Sequence, residues 1–507
     1  MSDERTALVF SIDALPPRER EQAAEEHLRR PGVPGPAAEH AMQHIIGTWS
    51  EPGPVGRSRS DVIAKGADSF YAKQYRQFLS PTMGAFAGTA THALAGAGTL
   101  PVEPSGEREV RSAMVVGRPN LPPILVIDHQ TVALVMTIPR RLIAVHTSQP
   151  SSEIAGRPVT TASPGARARE RSGDGSILEV IEAALTSSRL AILALHPTDP
   201  DAMGLHLTLF AVERRDAAGL VEDHGLDPAR MASMVAAADA DDDELVFLVG
   251  GTEEIFTQCS QNLFVKRRPR EGEVIATSVW SPDDPVRRLV NAQFELFQVT
   301  VSASGLPGVS PRNGDVGSVA YLVSSGEYES LLIPYHPGNF IHGHAAKLWS
   351  NPRGAIVIYD DHTYLRSVTL RGPARVLSPA QARREFPLTV AAEVDRVNSV
   401  RGTAREPEYW FEHVIRDIIV ETDELASMVL DEARPTCTIS AAGKSAYGKK
   451  PAYFDAEGVA PYDQQLQHHR EAQGRPRDPR GVHHARWEAD SAEQIRLRTA
   501  HLASIAK

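Results

Sequence analysis

Apolar positions in this chain gather in short runs separated by Gly, Pro, Asn and Asp, the rhythm of strands and turns. The runs 124–127 and 132–136 read as two strands, with Asp128 to Thr131 as the hairpin turn between them. Ile177, Leu178, Ile181, Ala184 and Leu185 recur at helical spacing, and the runs 190–195 and 245–249 follow as strands, the order expected of an α/β unit. A helix start is marked at Asp284-Pro285, where Asp caps and Pro fits the first helical position, with Val286, Leu289, Val290 and Phe297 on one face. Strands are then predicted over 296–303, 316–323, 330–335, 354–359, 364–370 and 374–377. A helix follows Ser378-Pro379 to about Asn398, and a last strand covers 414–421. Several short strands at regular spacing predict a barrel or a sandwich. Residues 1–65 are polar apart from one predicted helix from Pro17 to Arg30, and 151–176, made of Ser, Pro, Gly and Arg, predict a linker. No internal repeat is visible.

This pattern predicts an α+β multidomain chain. An N-terminal α/β region in two parts, 1–150 and 177–283, precedes a strand-rich region with flanking helices over 284–440. A polar arm over 441–507 either wraps a partner subunit or is disordered. The length of 507 residues with 42% apolar content suits about three folding units. A net charge of −11 gives no support to a nucleic-acid partner. No apolar run approaches the roughly 20 residues of a spanning helix, and the charged start MSDERTALVF lacks a signal-peptide core, so no membrane association is expected. Two cysteines, Cys259 and Cys437, stand far apart without a partner motif, which points to a reducing cytoplasm.

Several motifs fail on inspection. Gly443-Lys444-Ser445 ends like a phosphate-binding loop, but the place of its first glycine holds Thr438. Gly96-Ala97-Gly98 lacks the third glycine of a dinucleotide fingerprint. The acidic run Asp239 to Glu244 lacks the glycine and distal glutamate of a calcium loop. No G-x-S-x-G elbow and no helix-turn-helix is present, and the tail pairs His468-His469 and His483-His484 have no further ligands at fixed spacing.

The segment that carries chemistry runs from Leu331 to Pro352. A strand ends near Tyr335, a Pro337-Gly338-Asn339 turn follows, and a short helix bears His342, His344 and Lys347 in its first turns. Asn351-Pro352 ends that helix and a strand starts at once. Free N–H groups at the helix start, with cationic side chains beside them, suit a phosphate.

This order, with the run Arg366-Ser367-Val368-Thr369-Leu370-Arg371-Gly372 after it, resembles the FMN-binding split-barrel superfamily, which includes pyridoxamine-phosphate oxidases, deazaflavin-dependent reductases and haem-utilisation proteins. The resemblance covers about 290–430 and is best over 328–378. It implies a C-terminal split β-barrel, a cofactor site at a homodimer interface, and a cytoplasmic oxidoreductase acting on a small-molecule substrate. With FMN as cofactor, His342, His344, Lys347, Asn351, Arg366 and Tyr335 are the implied cofactor-binding residues, with backbone near Tyr335 and Ile356 approaching the ring. The phosphate-binding lysine of the oxidases falls on His344, a departure that resembles the haem-utilisation branch. Haem is therefore the alternative, with His344, His342 or His336 on iron, and a deazaflavin the third. A non-catalytic ligand or cofactor sensor is the reading from a different class. The competing account of the residues is structural: His342 and His344 as caps or polar contacts, and Arg366 paired with Asp360 or Asp361.

Overall fold

The structure is a computed structural model. It describes residues 79–430 apart from 147–151, 200–203, 259–265, 271–272, 274–284, 294, 314–316, 337–342, 360–365, 402–405 and 423–427, with short pieces at 444–445, 448–449, 492–493, 495–500 and 503. The predicted helix at Pro17 to Arg30, both cysteines, His342, Asp360, Asp361 and the tail histidines lie outside the described residues.

The first part opens with helix α1 (Pro81–Gly88), capped by the Ser80 hydroxyl on the Met83 N–H with Pro81 in the first turn. Strands β1 (His92–Val102) and β2 (Glu107–Val116) form a hairpin, and β3 (Ile124–Val126) and β4 (Thr131–Pro139) form a second. Short helices α2 (Arg140–His146) and α3 (Ser152–Ala155) follow, then β5 (Arg157–Val159) and β6 (Arg167–Ser172). Helix α4 (Gly173–Ser187) leads into β7 (Arg189–Leu195), β8 (Gly204–Arg215), helices α5 (Ala217–His224) and α6 (Pro228–Asp239), and the long strand β9 (Asp243–Gln258). Seven of these strands make one sheet in the order β2-β1-β7-β8-β9-β4-β3.

The second part, after a short β10 (Lys266–Arg267), starts with α7 (Pro285–Ala292) and the hairpin β11 (Glu295–Val301) and β12 (Pro307–Asn313). A second hairpin, β13 (Tyr321–Ser324) and β14 (Glu329–Tyr335), leads to α8 (Gly343–Ser350). Then come β15 (Arg353–Tyr359), β16 (Arg366–Leu377), α9 (Pro379–Glu385), α10 (Pro387–Arg401), β17 (Tyr409–Val414) and β18 (Asp417–Thr422). Their main path runs β12-β11-β15-β16-β17-β14-β13. The long β16 pairs with β18 through 366–371 and with β17 through 374–377. At the hand-over Gly372 lies against the end of β17, where a Cβ would fall 2.0 Å from the Val414 carbonyl, so only glycine fits.

The two paths have the same strand order. Hairpin, hairpin, helix, strand, strand, helices and closing strand recur in sequence, with β1 to β4 answering β11 to β14, β7 and β8 answering β15 and β16, and β9 answering β17 and β18. A repeat invisible in the sequence is thus present in the topology. The reason is that a strand position constrains only burial and size, which many apolar residues satisfy.

Three sequence expectations are corrected. The N-terminal region is not an α/β alternation: every pair in its sheet is antiparallel, and the link 196–203 between β7 and β8 is too short for a crossover helix. The two N-terminal blocks share that one sheet. The expected linker at 151–176 contains β5 and β6, and β6 pairs in parallel with β18 from Arg167↔Asp417 to Ser172↔Thr422. Its arginines alternate with smaller residues, which serves a strand whose one face meets buried carboxylates.

The sheets meet face to face through corresponding strands. Leu94, Val110, Ala191 and Leu193 of β1, β2 and β7 form one apolar cluster with Phe297, Val299, Val309 and Val357 of β11, β12 and β15. The approach is close: a Cβ on Gly96 would lie 2.6 Å from Val299 and 2.7 Å from Val309, and one on Gly98 2.6 Å from Val301. Asn351 fastens the seam, accepting from the Arg108 N–H at 2.9 Å and donating to the Arg108 and Val301 carbonyls at 3.1 and 3.0 Å. Part of the C-terminal arm returns to the first sheet, where buried Arg498 pairs with Asp199 at 3.0 Å and stands over the Phe86 ring. Among the described residues no helix is long and apolar enough to cross a membrane.

Candidate functional site

Of the residues singled out from sequence, His344 and Lys347 come together on α8, at the seam. His344 is 8% exposed and both ring nitrogens are taken, Nδ1 by the Thr300 hydroxyl at 2.8 Å and Nε2 by the Ser310 hydroxyl at 2.6 Å. Burial, then the charges of Arg312 and Lys347, hold its pKa well below the usual histidine value, so the ring is neutral. Lys347 is buried beneath Gly308 and faces Glu254 of the opposite sheet at 3.9 Å. Burial pushes the Glu254 carboxyl up, with Lys347 opposing. His206 of the opposite sheet joins them, one nitrogen on the Val309 carbonyl at 3.0 Å and the other on the Thr208 hydroxyl at 2.9 Å, its pKa lowered by burial to about 3. Next along, Gln298 links Arg312 at 2.9 Å to His413 at 2.9 Å, and burial lowers His413 to about 3.

The other candidates go elsewhere. Tyr335 is buried in the core of the second part, stacked on Tyr409 with ring centres 4.2 Å apart and with Arg312 over its face. His336 pairs with Glu393 at 2.5 Å, a carboxylate that Arg396 and Tyr321 also hold, and it stands apart from His344 in bonding. Asn351 is the seam fastening, and Arg366 opens β16 opposite Thr422. Among the described residues no group of three or more His, Cys, Asp or Glu side chains is placed to hold a metal. An iron or phosphate on His344 Nε2 would have to displace the Ser310 hydroxyl.

A different cluster lies across the same seam. Glu179 of α4 gathers four guanidiniums: Arg371 of β16 at 2.8 Å, Arg171 and Arg169 of β6 at 2.9 and 3.5 Å, and Arg111 of β2 at 3.8 Å. These cations hold its carboxyl far below the usual range against the opposing effect of burial. Arg171 uses all its donors, on Glu179, Ser176, the Ile154 carbonyl and Glu421 at 2.9 Å. Arg371 does not. It is 3% exposed, and its Nε and Nη2 have no partner, as is also true of the Arg169 Nε. Arg371, Arg169, Arg111 and Arg167 line a cavity of about 620 Å³, with Pro158, Val159 and Ala168 among the apolar walls. That volume is within the usual range of ligand sites. The sequence signal for it was Arg167, Arg169 and Arg171 at period two, which reads as a linker until the strand is recognised.

No protein-family model matches this chain, and no curated protein matches it in sequence. Solved structures resemble part of it. HutZ, the haem storage protein of Vibrio cholerae, is 18% identical over 27% of this chain and 91% of its own, with a TM-score of 0.20. HupZ of Group A Streptococcus is 15% identical over 29% of this chain and 92% of its own, with a TM-score of 0.19. A pyridoxamine 5'-phosphate oxidase-related, FMN-binding protein of Nostoc punctiforme is 13% identical over 26% and 73%, with a TM-score of 0.18. Each likeness is to part of a fold.

Proposed function

We propose that this chain is a cofactor-dependent oxidoreductase of the split-barrel kind, holding FMN between its two sheets and acting on a small-molecule substrate. The observation that carries the reading is the recurrence of one strand order in two sheets that meet through corresponding strands, β2-β1-β7 against β12-β11-β15. Two copies related by a two-fold axis would pair in this way. The first sheet thus takes the place that the resemblance gives to a second subunit, and the homodimer is replaced by an internal pair. The protein positions the cofactor, and the cofactor supplies the electron transfer. With two cysteines in 507 residues, a reducing compartment such as the cytoplasm suits it.

Haem is the second reading, and one observation favours a particular ligand for it. His336 Nδ1 is buried without a partner, while both nitrogens of His344 are bonded. The absorption spectrum of the purified chain separates the readings. Bands near about 370 and 450 nm mark flavin, a band near about 400 nm marks haem, and a colourless chain that takes up neither cofactor removes both. A mass measurement tests the internal pair: a monomer that holds cofactor supports it, and cofactor bound only by a dimer overturns it.

A further inference from the structure

We propose that the cavity beside Arg371 is an anion site that receives the phosphate group of a small organic molecule. The inference rests on the cofactor reading only for what carries the phosphate. The wall presents four guanidiniums and the carboxylates Glu109 and Asp417. Asp417 is already engaged by Arg167 at 2.9 Å, and Glu109 faces Arg353 at 3.7 Å. Behind the wall, Glu179 is shared among four arginines, and burial pushes the Glu421 carboxyl up toward its neutral form. Positive charge is therefore in excess on the cavity side.

The donors make the stronger argument. A buried guanidinium normally satisfies its five N–H groups, as Arg171 does. Arg371 is as deeply buried, yet Nε and Nη2 stay unpaired, and Arg169 adds a third unpaired donor on the same wall. Nε and Nη2 are the two donors of one fork edge, which matches two oxygens of a phosphate. Arg111 of the opposite sheet and Arg169 of β6 line the same cavity, which lies where the two sheets meet. Burial lowers the pKa of both Arg169 and Arg371, an electrostatic cost that a bound anion would relieve. Pro158, Val159 and Ala168 supply an apolar wall for the body of the molecule.

The test uses the full chain and four probes: inorganic phosphate, chloride at matched ionic strength, FMN and riboflavin. Phosphate should raise the melting temperature where chloride does not, and FMN should bind more tightly than riboflavin. Arg169→Gln should weaken phosphate binding about 10- to 100-fold, the loss of one charge-assisted hydrogen bond. Arg371→Met should abolish it. Should Arg371→Met fail to fold, Arg169→Gln decides alone, since it leaves Arg171 and Arg371 on Glu179. Equal melting in phosphate and chloride, or unchanged phosphate binding in Arg169→Gln, would overturn the site. Phosphate bound by a chain that takes neither flavin nor haem leaves the site standing and removes the cofactor reading. FMN and riboflavin bound equally well would do the reverse.

Discussion

Two of the places where charged side chains meet across the seam differ in outcome. On one side Lys347, from the helix before β15, faces Glu254 in the first sheet. On the other Glu179, from the helix before β7, faces Arg371 in the second. The registers show these to be related places. Ala191 stands between Gly96 and Thr208, and Ala355 between Val299 and Arg371, so Thr208 and Arg371 answer each other across the repeat. The two helix charges are opposite in sign, and at the first crossing the strand charge is carried by Glu254, the cross-strand partner of Thr208. At the Lys347 crossing the polar atoms are taken up: His206 bonds to the Thr208 hydroxyl, and both ring nitrogens of His344 bond to the Thr300 and Ser310 hydroxyls. At the Arg371 crossing, a larger cation has donors left over and a cavity beside it. A duplicated frame thus allows one place to become core while its counterpart stays open to a ligand.

Acidification should give the largest effect and should act on the closed crossing. His206, His344 and His413 there, with His196 elsewhere, are buried with pKa values lowered chiefly by burial. A histidine whose folded pKa is depressed stabilises the fold fully above about pH 6.5, and that contribution is lost as pH falls toward the folded value. At pH 5 the loss is about 2 kcal/mol for each histidine that stays neutral. Four such groups are comparable with the whole stability of a domain. Urea titrations between pH 7 and pH 5 should show the fall, and His344→Gln should shrink it by one histidine's share. An unchanged slope in that variant would mean the ring is not held neutral.

Glu179→Gln should follow in size, because it strips the shared carboxylate from four arginines. Removing one partner of a buried ion pair costs about 3–5 kcal/mol. Phosphate should recover part of the loss by supplying the missing negative charge. Denaturant midpoints with and without phosphate check both statements, and a loss below about 1 kcal/mol would show the cluster to be well solvated.

Gly96→Leu tests the seam on which both crossings depend. Its side chain would be driven into Val299 and Val309, and overpacking of this kind costs about 1–3 kcal/mol. A melting curve unchanged by the substitution would mean that the sheets do not press together there.

Much of the second part was legible, and the reasons are local. The order β14, α8, Asn351-Pro352, β15, β16 follows from strand runs, a helix stop and turn residues that act over a few positions. The helix at Pro285 followed from its cap signal, and β3, β4 and β7 from their apolar runs. The hairpin β1–β2 was missed because its seam side needs Gly96 and Gly98, whose small size is set by a sheet distant in sequence. Strand β6 was missed because its arginines look solvated until Glu179 and Glu421 are known to face them. For the site, sequence placed His344 and Lys347 together on one short helix, yet not that Thr300 and Ser310 would occupy both ring nitrogens. Nor did it show Arg371 as more than a barrel-strand residue, since its partner Glu179 lies 192 positions away.

The smallest effect is expected at the rim, and it separates charge count from geometry. Arg167 lines the same cavity, but its side chain is 85% exposed and its pair with Asp417 at 2.9 Å faces water. Exposed pairs of this kind contribute about 0–1 kcal/mol, because solvent screens the attraction and two side chains lose freedom to form it. Arg167→Gln should therefore leave stability within about 1 kcal/mol of the parent chain. It should also leave phosphate binding close to unchanged, since Arg167 already donates to Asp417 and is not among the arginines with unpaired buried nitrogens. Arg169→Gln removes the same formal charge from the same wall, on the same strand two residues along. If anion binding depends on the positive field alone, the two variants weaken it equally. If it depends on unpaired buried donors, Arg169→Gln weakens it and Arg167→Gln does not. Equal losses, measured by phosphate titration at constant ionic strength, would show that field rather than donor geometry holds the anion at the open crossing.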